Sequence, residues 1–223
     1  MNHETVEKKA WLLGTLIAIV ISFGGLVEIV PLYTQASVIK PSPGIKPLGP
    51  LELAGRDVYV REGCYLCHTQ MVRTLEAEVE RYGHYSMAGE AVYDHPFQFG
   101  SKRTGPDLAR IGGRYSDEWH RIHLNNPRDL VPESNMPAFT WLDQGVVDPE
   151  LTARKMRVLV RLGVPYTQAE IAGAPAIVQG HTDLDALVAY LQTLKFHGEV
   201  PPAGEAPAAA PAGAAAGAAS GAP

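Results

Sequence analysis

Cys64-Tyr65-Leu66-Cys67-His68 contains the only two cysteines among 223 residues, and its reading decides the fold. Cys-x-x-Cys-His is the attachment signature of a c-type haem. In a helical turn, residues three and four apart share a face. Two thiols at that spacing can each bond one vinyl group of the same porphyrin, and the next residue presents an imidazole to its iron. Cys64 and Cys67 are therefore the expected thioether positions and His68 the expected proximal ligand. A structural zinc site needs four ligands. No second Cys pair exists, and His120 and His123 stand too close for a zinc finger. A dithiol redox pair would sit in a βαβ context, which the neighbouring sequence does not offer.

A closed, relatively high-potential haem needs a sixth ligand, commonly Met. Met71 is three residues from His68, Met87 lies in an aromatic stretch, and Met156 sits in a helical pattern where Met fills core space. Met136 lies in Pro132-Glu133-Ser134-Asn135-Met136-Pro137, an irregular segment able to carry a side chain over the distal face. It is the expected sixth ligand, with His84, His95, His120 and His123 as remote alternatives.

Trp11 to Val30 reads WLLGTLIAIVISFGGLVEIV, with Glu28 its single charge. Twenty residues at 1.5 Å rise span about 30 Å, the hydrocarbon thickness of a bilayer. Trp11 and Tyr33 suit the interfaces, and Pro31 is expected to close the segment. Lys8 and Lys9 put the N-terminus on the cytoplasmic side. A cleaved signal peptide is the rival reading, but its apolar core would be shorter. Glu28 fits either interfacial water or a neighbouring membrane subunit, which Gly24-Gly25 would let approach closely.

The expected organisation is therefore mainly α. A cytoplasmic stretch (1–10) leads to a single transmembrane helix (11–32). A stiff Pro/Gly spacer (33–50) then leads to an outer haem domain (51–197) and a disordered Ala/Pro/Gly tail (198–223). Two of the 19 cations and three of the 24 acids precede residue 33, which leaves the outer part near −4. That mildly acidic balance carries no nucleic-acid footprint and no dense lysine ring for docking. Helices are expected over 51–62, 116–125, from Pro149, and over 182–195. The first of these has Gly55 and Tyr59 on one face. Ser116 or Asp117 is the expected cap of the second, and Thr182-x-x-Asp185 opens the last as a capping box. Leu151, Val158, Leu159 and Leu162 give the third its apolar spacing.

With these residues in hand, the chain resembles the class I cytochrome c fold. Gly105-Pro106-Asp107-Leu108 resembles the loop that follows the haem motif in that family. By that resemblance the Pro106 carbonyl accepts from His68 Nδ1, and the helix of Gly55 and Tyr59 crosses the last helix near Leu187 and Tyr190. The runs at 79–86, 93–97, 100–110, 112–117 and 123–138, the single anchor, and AspLeuAspAlaLeuValAlaTyrLeuGln at 183–192 resemble the mono-haem subunit II of cbb3-type cytochrome c oxidases. The resemblance implies one covalently attached haem c and no catalytic residue in this chain. It implies single-electron relay, during aerobic respiration, from a further haem c subunit or a donor cytochrome c to the b-type haem of a membrane-embedded haem–copper catalytic subunit. It also implies a bacterial inner membrane with the haem domain in the periplasm.

Arg110, Arg114 and Tyr115 are candidates to hydrogen-bond the haem propionates. Trp119 is a candidate to pack on the haem edge, and Arg73 is a lesser choice. The aromatics Tyr82, Tyr85, Tyr93, Phe97 and Phe99 are expected to dock the 82–99 stretch on the catalytic subunit. The competing functions are a membrane-anchored mono-haem cytochrome of another complex, such as nitric oxide reductase, a free-standing shuttle, and a haem-based gas sensor or enzyme with an open distal site.

Overall fold

The apolar run near the N-terminus has no polar face to offer water, so it forms one long helix. In the computed structural model, which describes residues 3–197, a short helix α1 (His3–Lys8) precedes α2 (Ala10–Thr34). The apolar length of α2 suffices to cross a membrane, and among the described residues none buries it. Pro31 does not close it. The helix runs on to Thr34, and the Gln35 N–H donates to the Pro31 carbonyl at 2.9 Å. Proline removes one donor and crowds the preceding turn, but a single turn beyond it can still form.

A one-turn helix α3 (Ala36–Ile39) follows. The spacer is then stitched to the domain: Ser42 N–H donates to the Gly89 carbonyl at 3.0 Å. Helix α4 (Pro50–Arg61) opens with Pro at its first position, where a missing N–H costs nothing. It buries Leu53, Ala54, Gly55, Val58 and Tyr59. Its main partner is the last helix, α9 (Asp183–Thr193), which buries Leu184, Leu187, Val188, Tyr190 and Leu191. The crossing point is Gly55. A Cβ there would lie 1.8 Å from the Ala186 carbonyl oxygen and 2.8 Å from Tyr190 Cβ, so only glycine lets the two backbones touch. The Tyr59 and Tyr190 rings then meet at 5.6 Å.

Helix α5 (Glu76–Tyr82) lies in the long insertion 74–103 between the cysteine turn and the Gly-Pro-Asp-Leu loop, and α6 (Asp117–Asn125) is capped by Ser116 Oγ, which accepts from Trp119 N–H. Helix α7 (Pro149–Arg161) is capped by Asp148. Its buried face is Thr152, Ala153 and Met156, and Leu151, Val158 and Leu162 are exposed. The apolar spacing located the helix, and of its four residues Leu159 packs on the core. The small Ala153 and flexible Met156 fit against Leu53 and a helix that the pattern did not suggest, α8 (Gln168–Val178). Helix α8 carries a capping-box signal, Thr167 with Glu170, but Pro175 in its middle obscures the pattern. The capping box expected at Thr182 and Asp185 is present.

Among the described residues no strand forms, and one isolated antiparallel bridge pairs Val146 with Thr182. The mainly α architecture with one N-terminal apolar helix is thus the observed one. The tail expected from Gly198 onward lies outside the described residues.

Candidate functional site

Helix α4 ends at Arg61, and the chain reverses at Gly63, whose φ of +71° suits a residue without Cβ. A single 3₁₀ turn, Cys64–Leu66, follows. The Cys64 carbonyl accepts from both Cys67 N–H (3.2 Å) and His68 N–H (3.0 Å). The three residues of the motif therefore share one tight turn. Cys64 is half-buried and Cys67 exposed. Burial, assisted by the nearby Glu62 charge, pushes the Cys64 thiol up to about 12. Redox-active thiols are shifted the other way, so this environment does not suit dithiol chemistry. Among the described residues no group of three or more His, Cys, Asp or Glu side chains is placed to hold a metal ion.

The motif is held from below by Gly105-Pro106-Asp107-Leu108. His68 Nδ1 lies 2.8 Å from the Pro106 carbonyl oxygen. A carbonyl can only accept, so Nδ1 carries the proton, and the neutral ring keeps a free lone pair on Nε2. Burial also pulls the imidazole below its ordinary value, which favours that neutral form. Gly105 lies directly against this ring: a Cβ there would stand 2.2 Å from His68 Cε1 and 2.7 Å from Nδ1. Its N–H donates to the Cys67 carbonyl at 2.9 Å.

Asp107, 3% exposed, completes the attachment. Its carboxylate accepts from Thr69 Oγ1 (2.6 Å), Met71 N–H (2.8 Å) and Ala109 N–H (2.9 Å). Arg103 ties in the insertion. It donates to Thr69 Oγ1 at 2.6 Å and the Met71 carbonyl at 2.9 Å, and it forks onto both oxygens of Glu78 at 2.7 and 2.8 Å. Glu78 also pairs with Arg73. Hydrogen bonding from Arg103, then from Arg73, overcomes the cost of burial and holds the Glu78 carboxyl down at about 2. Sequence reasoning missed Arg103 and Glu78 because 25 residues separate them and no local pattern joins them. Asp107 was legible only as one letter of the loop motif.

Met136 is partly buried and packs on the central α4/α9 core, as do Cys64, Tyr65, Leu108, Ile111 and Phe139. The structure thus gathers the cysteine turn, the loop after it and the Met136 segment around one core cluster. Pro106 serves through its carbonyl, as described. Trp119 stacks between Tyr115 (4.0 Å, 15°) and His123 (4.6 Å, 13°). Arg114 is exposed and makes one long bond, 3.4 Å, to the Arg81 carbonyl.

Arg110 has all five donors taken by protein. Glu90 receives two of them, at 2.8 and 3.0 Å, and the carbonyls of His84, Tyr85 and Ala109 receive the rest. That places it as an anchor of the insertion and leaves no N–H for a haem carboxylate. Of the five aromatics of 82–99, Phe97 is exposed and stacked on Phe99 at 5.2 Å, and the other four are half-buried.

Whether these residues fit a haem can be tested on the polar atoms they leave over. His120 Nε2 and His123 Nδ1, both on α6, are buried with no hydrogen-bond partner. Orphaned buried nitrogens, a free Nε2 on His68 and a glycine bed beneath its ring together fit an anionic, iron-bearing group. The chain matches the family model described as Cytochrome C oxidase, mono-heme subunit/FixO over residues 3–182. No curated protein matches it.

Proposed function

This chain belongs to the cytochrome c oxidase mono-haem subunit/FixO family, and from that premise we propose that it is the electron-relay subunit of a cbb3-type oxidase. When bound, the haem supplies reversible one-electron chemistry at its iron. The chain's own residues hold and tune it. Cys64 and Cys67 would hold it through thioether bonds, His68 would offer Nε2, and Met136 would offer its thioether. Pro106 fixes the tautomer of His68 and raises its basicity through Nδ1. A thioether and an imidazole offered to one iron would favour a high-potential, one-electron centre.

The observation that carries this reading is the His68–Pro106 bond of 2.8 Å on the cysteine turn. It prepares one imidazole nitrogen for a metal and has no role in a dithiol site. Residues 11–32 are read as the anchor, with Lys8 and Lys9 inside and the 51–197 domain in the periplasm. Electrons pass from a further haem c subunit or a donor cytochrome c to the b-type haem of the haem–copper subunit.

The test is spectroscopic, on the complex purified through this chain. A haem-positive band should persist at about 24 kDa after denaturation, and a haem–copper subunit should copurify. Met136→Leu should keep the haem attached, lower its midpoint potential and admit carbon monoxide to the reduced form. An unchanged potential and spectrum would refute Met136. Copurification with a different catalytic subunit would favour a mono-haem cytochrome of another complex.

A further inference from the structure

Tyr115, Trp119 and His123 stand in one column, with planes tilted by 15° and 13° at successive contacts. The column starts at the surface, where Tyr115 is 40% exposed, and ends at a partly buried imidazole. Stacking fixes the plane of His123, and helix α6 fixes its position. Yet its Nδ1, shielded from water, has no protein partner. Leaving such a group unsatisfied forfeits its hydration with nothing in return, so a rigidly held orphan in a native protein points to a partner outside the chain.

Burial, and after it the nearby His68, holds the His123 imidazole below its ordinary value, and burial is likewise the main cause for His120, the other orphan on this helix. A haem buries two carboxylates that need donors, and Arg110 has none left for them. We propose that His123 is a positioning residue that donates from Nδ1 to a propionate of the haem carried by Cys64, Cys67 and His68. Tyr115 and Trp119 serve it as a brace, holding the ring at the angle the bond needs. The proposal rests on the haem assignment above and adds a donor that neither the motif nor the basic residues indicated.

The experiment uses the purified full-length complex with His123→Leu, His123→Phe and His123→Asn. Leu removes ring and donor, Phe keeps a ring for Trp119 and loses the donor, and Asn places an amide N–H near the position of Nδ1. Three readouts are compared: covalent haem after denaturing electrophoresis, midpoint potential, and the propionate carboxylate bands in redox-difference infrared spectra. Phe should retain covalent haem, shift the carboxylate bands and lower the potential, because an undonated propionate stays more negative beside the iron. Asn should return both toward wild type. If Phe keeps wild-type bands and potential, the ring serves packing alone and the proposal is overturned. It is equally overturned if Asn shifts as far as Phe. Should Leu fail to mature, the Phe–Asn comparison still decides. Absence of covalent haem from the wild-type chain would instead defeat the haem assignment itself.

Discussion

Gly105→Ala places one methyl group against the ring of His68. The added Cβ would stand 2.2 Å from Cε1, 2.7 Å from Nδ1 and 2.8 Å from Nε2. Ordinary contact begins near 3.4 Å, so ring and loop must part by about 1.2 Å. Gly105 φ is not in the left-handed region, so the backbone tolerates alanine and the whole cost is steric. Two bonds resist the separation: Gly105 N–H to the Cys67 carbonyl at 2.9 Å and His68 Nδ1 to the Pro106 carbonyl at 2.8 Å. Overpacking costs about 1–3 kcal/mol, and one lost hydrogen bond adds about 0.5–1.5 kcal/mol.

The expected loss is therefore about 2–4 kcal/mol, together with a less basic proximal imidazole. The assay is denaturant unfolding of the haem-loaded protein, followed at the haem absorption band, with the midpoint potential measured on the same samples. Gly173→Ala is the control. It lies inside α8 with nothing within 4 Å of its Cβ, and removing a helix glycine should gain about 0.5–1 kcal/mol. If Gly105→Ala unfolds like wild type and keeps its potential, the glycine bed under His68 is not a real constraint.

Three further outcomes are expected. Gly55→Ala should destabilise the domain by about 3 kcal/mol or more, because its Cβ would meet the Ala186 backbone at 1.8 Å; thermal melts that match wild type would contradict that crossing. The Glu78 carboxyl is held below its unfolded value of 4.5, at about 2. Its stabilising contribution is thus fully present above about pH 4.5 and is lost as pH falls toward 2, which denaturant midpoints across that window should trace. Arg103→Met should raise the Glu78 carboxyl and move this acid limb to higher pH, with a loss at neutral pH of about 2–3 kcal/mol for the charged hydrogen bonds; an acid limb identical to wild type would show that Arg73 alone suffices.

The sequence made some parts of this molecule legible and hid others for physical reasons. The cysteine turn, the Gly-Pro-Asp-Leu loop and the Gly55 crossing are local motifs or small-residue positions, and each reads directly from a few letters. Capping residues Ser116, Asp148 and Thr182 likewise marked their helices, because a cap is a contact within three residues. The apolar spacing of α7 marked a helix but not its buried face: Leu151, Val158 and Leu162 are exposed, since periodicity reports a stripe and not its partner. The Arg110–Glu90 and Arg103–Glu78 pairs join residues 20 and 25 apart inside an irregular insertion. Arg110 therefore read as a free cation when it was already engaged. The orphaned nitrogens of His120 and His123 could not be read at all, because satisfaction of a polar atom is a property of the folded neighbourhood.

The stitch between Ser42 and Gly89 changes how the domain can move. Fifteen residues, 35–49, separate α2 from α4, and fully extended they would reach about 50 Å. With Ser42 fastened to the domain, only residues 35–41 remain as slack. That is about 25 Å at full extension, and α3 coils part of it. A redox centre on so short a leash cannot diffuse away to meet a partner. If α2 is anchored beside a redox partner as proposed, exchange between them would be a first-order event at an effective concentration set by the leash. Lengthening that slack with Gly-Ser repeats, with every site residue untouched, should slow the exchange.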